Sequence, residues 1–171
     1  MPSAVCPGPA SSLAAALAGS IGRAPGAVHL RSDIERKRLF DVREFDRLPG
    51  EAHRPESTAR TYQRLRDLAA TALDAGHSVI IDAVHLRPEE RNAAKQVGSR
   101  SKAHFTGLWL EGPINTLMER IAKRKTDASD ATADVVSAQA KQPTGAVDWL
   151  RVDASGPVES IVLRVLAAIL G

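Results

Sequence analysis

Short β-branched runs separated by stretches long enough for helices limit most strongly what this chain can fold into. Ala27-Val28-His29-Leu30, Ser78-Val79-Ile80-Ile81-Asp82, Phe105-Thr106-Gly107-Leu108-Trp109-Leu110 and Trp149–Asp153 each read as a strand. Between them, apolar residues recur at helical spacing. Leu13, Leu17 and Ile21 form one stripe, which Ser11-Ser12 precede as caps and Gly22 closes. The segment 57–75 carries Tyr62, Leu65, Ala69, Ala72 and Leu73 on one face and stops at Gly76. A short helix follows Asp33, and another opens at Pro88 and runs to about Val97. Ile114, Leu117, Met118 and Ile121 mark one more. Residues 41–55, with Pro49-Gly50 and Pro55, read as loop. A polar stretch over 126–131 leads into a weak helix at 131–140, and an amphipathic helix carrying Val158, Ile161, Val165 and Ile169 closes the chain. Parallel strands need helical crossovers, so this alternation predicts an α/β fold, a mostly parallel sheet covered by helices.

Length and composition narrow the class. At 171 residues the chain reads as one domain, with 43% hydrophobic and 25% charged residues, as in soluble globular proteins. Aromatics are only 4%, so Ala, Val, Leu and Ile must build the core. Cys6 is the only cysteine, which rules out an internal disulfide and fits a cytoplasmic location. Leu13–Ala18 is too short an apolar run to span a membrane, and no Lys or Arg precedes Arg23 as a signal peptide would require. A net charge of +3 suits a phosphorylated ligand and, without aromatic and basic residues interleaved, does not point to nucleic acid. The histidines at 29, 53, 77, 85 and 104 show no metal-ligand spacing.

Several residues sit where chemistry is done in open α/β sheets, at the carboxyl ends of strands. Asp33 lies just beyond the first strand with Arg36 one helical turn on; an Asp there can take a proton from an attacking hydroxyl, or can cap the helix. Asp82 ends its strand and reads as a carboxylate for a magnesium ion or its water, or as a turn residue. Arg87 and Arg91 are four apart on one helical face, suited to an anionic acceptor or to solvent. Arg120, Lys123, Arg124 and Lys125 cluster at a helix end, where they complement the helix dipole or serve a lid over a phosphoryl group.

Five ordered segments carry a resemblance: Leu30–Phe40, Asp82-Ala83 with Leu86-Arg87-Pro88, Gly107–Glu111, Asp127–Asp130, and Val147–Trp149 with Val152–Gly156. Together they resemble the predicted small-molecule kinases grouped with the AAA family ATPases, P-loop domains found alone or C-terminal to an aminoglycoside-phosphotransferase-like domain. The resemblance implies a three-layer α/β/α fold whose first strand is central, here truncated. It implies ATP and magnesium as cofactors and a small-molecule hydroxyl as acceptor, with a phosphotransferase-like domain as an N-terminal partner outside this chain. Asp33 takes the place of the general base, Arg36 of the substrate-side arginine, Asp82 of the carboxylate near magnesium. Arg120 and Arg124 take the places of lid arginines over about 125–140, and Asp153, Ala154, Ser155 and Gly156 approach the adenine.

The departure is at the amino terminus. A P-loop cradles phosphates with successive backbone N–H groups and a Gly-Lys-Ser/Thr ending. Here the matching run is Val5-Cys6-Pro7-Gly8-Pro9-Ala10-Ser11-Ser12-Leu13, with two prolines that lack an N–H and no lysine before Lys37. An ungapped alignment puts Ser11 and Ser12 at the nucleotide- and metal-binding Ser/Thr positions and Ala10 at the lysine's; a gapped one deletes Gly-Lys. Residues 1–12 are thus a degenerate phosphate loop, from a truncated gene start or from relaxed selection. Two functions are expected of such a chain: an ATP-dependent phosphotransferase with impaired activity, or a non-catalytic ligand-binding or regulatory domain derived from one.

Overall fold

A computed structural model describes residues 8–113 and 142–170. The expected helix over Ile114–Ile121, the polar stretch, the weak helix at 131–140 and the lid arginines lie outside those residues.

Helix α1 spans Gly8–Ala18, strand β1 Val28–Arg31, α2 Ser32–Leu39 and α3 Pro55–Asp74. They are followed by β2 Val79–Asp82, α4 Pro88–Arg100, β3 Leu108–Glu111, β4 Leu150–Asp153 and α5 Val158–Leu170. The four strands read at 27–30, 78–82, 105–110 and 149–153 form, with bounds shifted by up to three residues, whereas the truncated first strand and the phosphate-loop residues 1–7 lie outside the described residues. α1 starts three residues ahead of Ser11, so Ser11 and Ser12 sit inside the helix and do not cap it. Within the expected loop 41–55 a single 3-10 turn forms over Gly50–His53 and buries Ala52 completely.

The strands pair in parallel, as the alternation predicts. Among the described residues β1 pairs with β2, and β3 with β4, as two two-stranded sheets. The alternation of strand side chains divides their contacts between two faces. Val28 and Leu30 of β1 and Val79 and Ile81 of β2 turn toward α3 and α4, where Leu30, Leu65, Ala69 and Val97 form one core cluster. Ile80 of β2 and Leu108 and Leu110 of β3 turn the other way, onto Leu13 and Leu17 of α1 and Ile161 and Val165 of α5. α1 therefore joins the two halves. Its Leu13 and Leu17 are each 2% exposed, and burial of such side chains contributes about 1.5–3 kcal/mol each.

One glycine is fixed by close approach. A Cβ on Gly107, at the entry to β3, would lie 2.3 Å from the Trp149 ring. Gly107→Ala is expected to push that ring off Phe105 and His85, its edge-on neighbours at 5.9 and 5.5 Å. Overpacking of this kind costs about 1–3 kcal/mol, so a thermal melt should shift down by roughly 5 °C.

Candidate functional site

Register brings the first charged group together. Arg31 is opposite Asp82 at the carboxyl ends of β1 and β2, and His29 is two residues behind Arg31 on the same face. His29 Nε2 lies 3.3 Å from Asp82 Oδ2, and Arg31 Nε lies 3.7 Å from the same oxygen. The Asp82 side chain is only 9% exposed. The chain then enters α2 directly, with Arg31 as its N-cap residue. Asp33 is therefore a first-turn residue and not the cap, placed where the helix dipole favours a carboxylate.

α2 is bound by its charges. Arg36 is buried, and its guanidinium donates to Ala52 O at 2.6 Å and to Thr58 Oγ1 at 3.2 Å, holding the 3-10 turn and α3 against α2. Glu35, 1% exposed, accepts from Arg38 and from Arg64 Nε at 2.6 Å. Lys37, 2% exposed, donates to Glu44 O at 2.7 Å. These partners come from residues 38 to 64, and a charged helix of eight residues gives no sequence signal for them.

A cavity of about 800 Å3 opens beside these strand ends. Ser11, Asp33, Arg36 and Asp82 line it together. Ser12 is exposed and does not line it, and neither do Arg87, Arg91 or Asp153–Gly156. Arg87 is exposed at the start of α4. Arg91 is 3% exposed and donates to His85 O, Leu86 O, Thr144 O and Ala146 O at 2.6–3.0 Å, with its guanidinium 5.4 Å from the Trp109 ring centre. Beyond β4, Asp153 Oδ1 accepts from the Ser155 N–H, while Ala154 is fully buried in the α1–α5 core. Arg120 and Arg124 lie outside the described residues.

α1 begins at Gly8-Pro9 and offers no lysine where a phosphate loop needs one. Asp82 already faces the His29 imidazole and the Arg31 guanidinium, and no three His, Cys, Asp or Glu residues converge for a metal among the described residues.

His85 is the group that sequence reasoning missed. It follows β2 with φ 45°, is 5% exposed, and packs edge-on to Tyr62 and Trp149. Its backbone N–H donates to Tyr62 Oη at 3.2 Å. Burial, then the charges of Arg91 and Arg66, lower its pKa to about 4, against a smaller opposing pull from Asp82. The same burial, with Glu90 adding to it, raises the Tyr62 hydroxyl to about 12. The folded protein thus keeps His85 neutral, whereas the unfolded chain titrates near 6.5. Its contribution to stability is complete above that pH and is lost as pH falls toward 4, by up to about 3 kcal/mol. His85→Asn accepts the positive φ without titrating. Its melting temperature should fall less steeply than the parent's between pH 7 and 4.5.

Comparisons with known proteins point one way. A family model described as an AAA domain matches residues 11–144. An uncharacterized protein of Mycobacterium tuberculosis (strain H37Rv) is 28% identical over 153 residues, covering 85% of this chain. An uncharacterized protein of Mycobacterium bovis matches to the same extent. The chain spans about 30% of the length of these relatives. Among solved structures, the M. tuberculosis APS kinase CysC in complex with AMPPNP and APS superposes with TM-score 0.69 at 18% identity, covering 98% of this chain and 94% of that one. A gluconokinase from Sinorhizobium meliloti 1021 gives TM-score 0.65 at 18% identity, covering 97% and 87%. At such identities the likeness is one of fold, and the fold is that of the P-loop kinases. Among the described residues no helix is long and apolar enough to cross a membrane.

Proposed function

The chain belongs to the AAA domain family, and we propose that it is a P-loop kinase-like domain, by descent an ATP-dependent phosphotransferase for a small-molecule hydroxyl, whose nucleotide binding and turnover are impaired. The observation that carries this reading is the start of α1. The phosphate-loop position is taken up by Gly8-Pro9-Ala10-Ser11, without lysine and with a proline in the first turn. The crevice behind it keeps Asp33 and Arg36 on its wall. In the proposal Asp33 is the base for the acceptor hydroxyl and Asp82 the carboxylate on the metal side. Arg36 keeps the acceptor wall in place through Ala52 and Thr58, and the lid arginines Arg120 and Arg124 and the Asp153–Gly156 turn complete the nucleotide side.

Calorimetric titration of the chain with magnesium-ATP tests it, with no measurable heat of binding expected. Tight binding would overturn the reading. In a chain given back its phosphate loop, Asp33→Asn should lower phosphotransfer by about 100-fold or more at unchanged melting temperature. Unchanged turnover would reduce Asp33 to a helix-dipole partner.

A second reading, a non-catalytic ligand-binding domain, is favoured by one observation. Arg36 and Arg91, two arginines expected to hold an acceptor, bond to backbone carbonyls. Ligand-dependent melting shifts with small phosphorylated or polyhydroxylated compounds, without turnover in any loop variant, would select it.

A further inference from the structure

Four rings stand in a row along one wall of the cavity. Tyr62 packs edge-on to His85 at 5.3 Å, His85 to Trp149 at 5.5 Å and Trp149 to Phe105 at 5.9 Å, and all four line the cavity. A chain with only 4% aromatic residues concentrates three of them here. The row is not a plain apolar core. His85 is 5% exposed, yet its Nδ1 has no hydrogen-bond partner, a state that buried polar groups rarely keep without a reason. His85 also holds a left-handed backbone at φ 45°, and strain of this kind gathers where ligands are held. The Tyr62 hydroxyl accepts from the His85 N–H at 3.2 Å, which leaves its own O–H to donate.

The charges beside the row decide what can lie against it. Asp33 and Asp82 line the same cavity, and among the described residues Arg36 and Lys102 are the only Lys or Arg that do. Arg36 is tied to Ala52 O and Thr58 Oγ1, and Lys102 is exposed past the end of α4. His85 is kept uncharged, first by burial. A phosphate or carboxylate at this wall would therefore meet two like charges before any uncommitted cation. A hydroxyl group meets no such penalty, since it donates to a carboxylate and accepts from the tyrosine. We propose that this wall selects an uncharged, hydroxyl-rich acceptor, a sugar or polyol without phosphate or carboxylate, and that Tyr62 and His85 are its specificity residues. The C–H faces of such a molecule pack on the rings, and a few placed polar groups fix its orientation. Held by no hydrogen bond at Nδ1, the His85 ring can turn that nitrogen toward a hydroxyl. The proposal rests on the reading of the chain as a kinase-like domain for a small-molecule hydroxyl, and it replaces the phosphorylated ligand that the net charge of +3 suggests.

Titration of the full-length chain with matched pairs tests this: D-ribose, D-glucose and myo-inositol, each against its monophosphate. Tryptophan fluorescence, to which Trp149 contributes from the wall itself, and the melting temperature are the readouts. The expected result is saturable binding of at least one neutral member, with its monophosphate at least about tenfold weaker. Tyr62→Phe removes only the hydroxyl, and His85→Asn keeps the positive φ but not the ring. Each should weaken the neutral ligand by about tenfold or more in a chain that still melts cooperatively. If His85→Asn does not fold, Tyr62→Phe decides alone. Asp33→Asn should narrow the gap within a pair, because one of the two repelling carboxylates is gone. A monophosphate that binds as tightly as its neutral partner would overturn the proposal. So would parent-like affinity in Tyr62→Phe and His85→Asn, or the lack of saturable binding by any pair. Magnesium-ATP is absent throughout, so these outcomes are independent of the calorimetric test of nucleotide binding, and either reading can fail alone.

Discussion

Replacing residues 1–12 with a complete β-branched strand and a Gly-x-x-x-x-Gly-Lys-Ser loop should give measurable magnesium-ATP binding to a chain that is proposed to lack it. The loop lysine and the backbone donors absent at Pro7 and Pro9 are charge-assisted contacts, each contributing roughly 1.5–3 kcal/mol. Two or three of them amount to about 3–9 kcal/mol, which separates a micromolar site from a millimolar or weaker one. Titration calorimetry of the two chains side by side measures the difference. The graft should also raise the melting temperature, because a β-branched strand would pair along β2 and β3, each of which has one ladder partner among the described residues. A graft that stabilises without binding would place the defect elsewhere in the crevice, with Asp82 and its His29 and Arg31 neighbours as the first suspects.

The second large effect is expected at Arg91. Arg91→Met keeps the length and apolar stem of the side chain but leaves the carbonyls of His85, Leu86, Thr144 and Ala146 without this donor. Breaking a buried, charge-assisted network of this kind costs about 3–5 kcal/mol. The melting temperature should fall by roughly 10–15 °C, and the Trp109 and Trp149 fluorescence should change with it. Arg87→Met, on the exposed start of the same helix, should change neither by more than a degree or two. Similar effects at both positions would mean that Arg91 is not a structural tie.

The alternation of strands and helices was legible because each element carries its own periodicity. Tyr62, Leu65 and Ala69 are buried on α3 as their spacing predicts, and Pro55 and Pro88 open helices as proline's fixed φ allows. Pairing was not legible in the same way. The contact of His29 with Asp82 depends on register, which aligns His29 with Ile80 and Arg31 with Asp82 across 50 residues of sequence. The division into two sheets depends on what lies between β2 and β3, which neither strand encodes. Of the candidate site, Ser11, Asp33, Arg36 and Asp82 line one cavity, which also runs the length of β2. The role of Arg91 was hidden because a surface-like i, i+4 arginine pair looks the same whether the second member points to water or to carbonyls. His85 was hidden because a left-handed backbone and two aromatic neighbours leave no trace in local composition.

Lys37 turns α2 into a clock. Its ammonium is buried against Glu44 O, whereas Lys95 and Lys102 are exposed. An acylating reagent needs an accessible, deprotonated amine, so it should modify the two outer lysines within minutes and reach Lys37 only when the 42–44 segment lifts away from the helix. The rate at which Lys37 appears in a mass spectrum, divided by that of its exposed counterparts, then counts how often this part of the molecule opens while the rest stays folded.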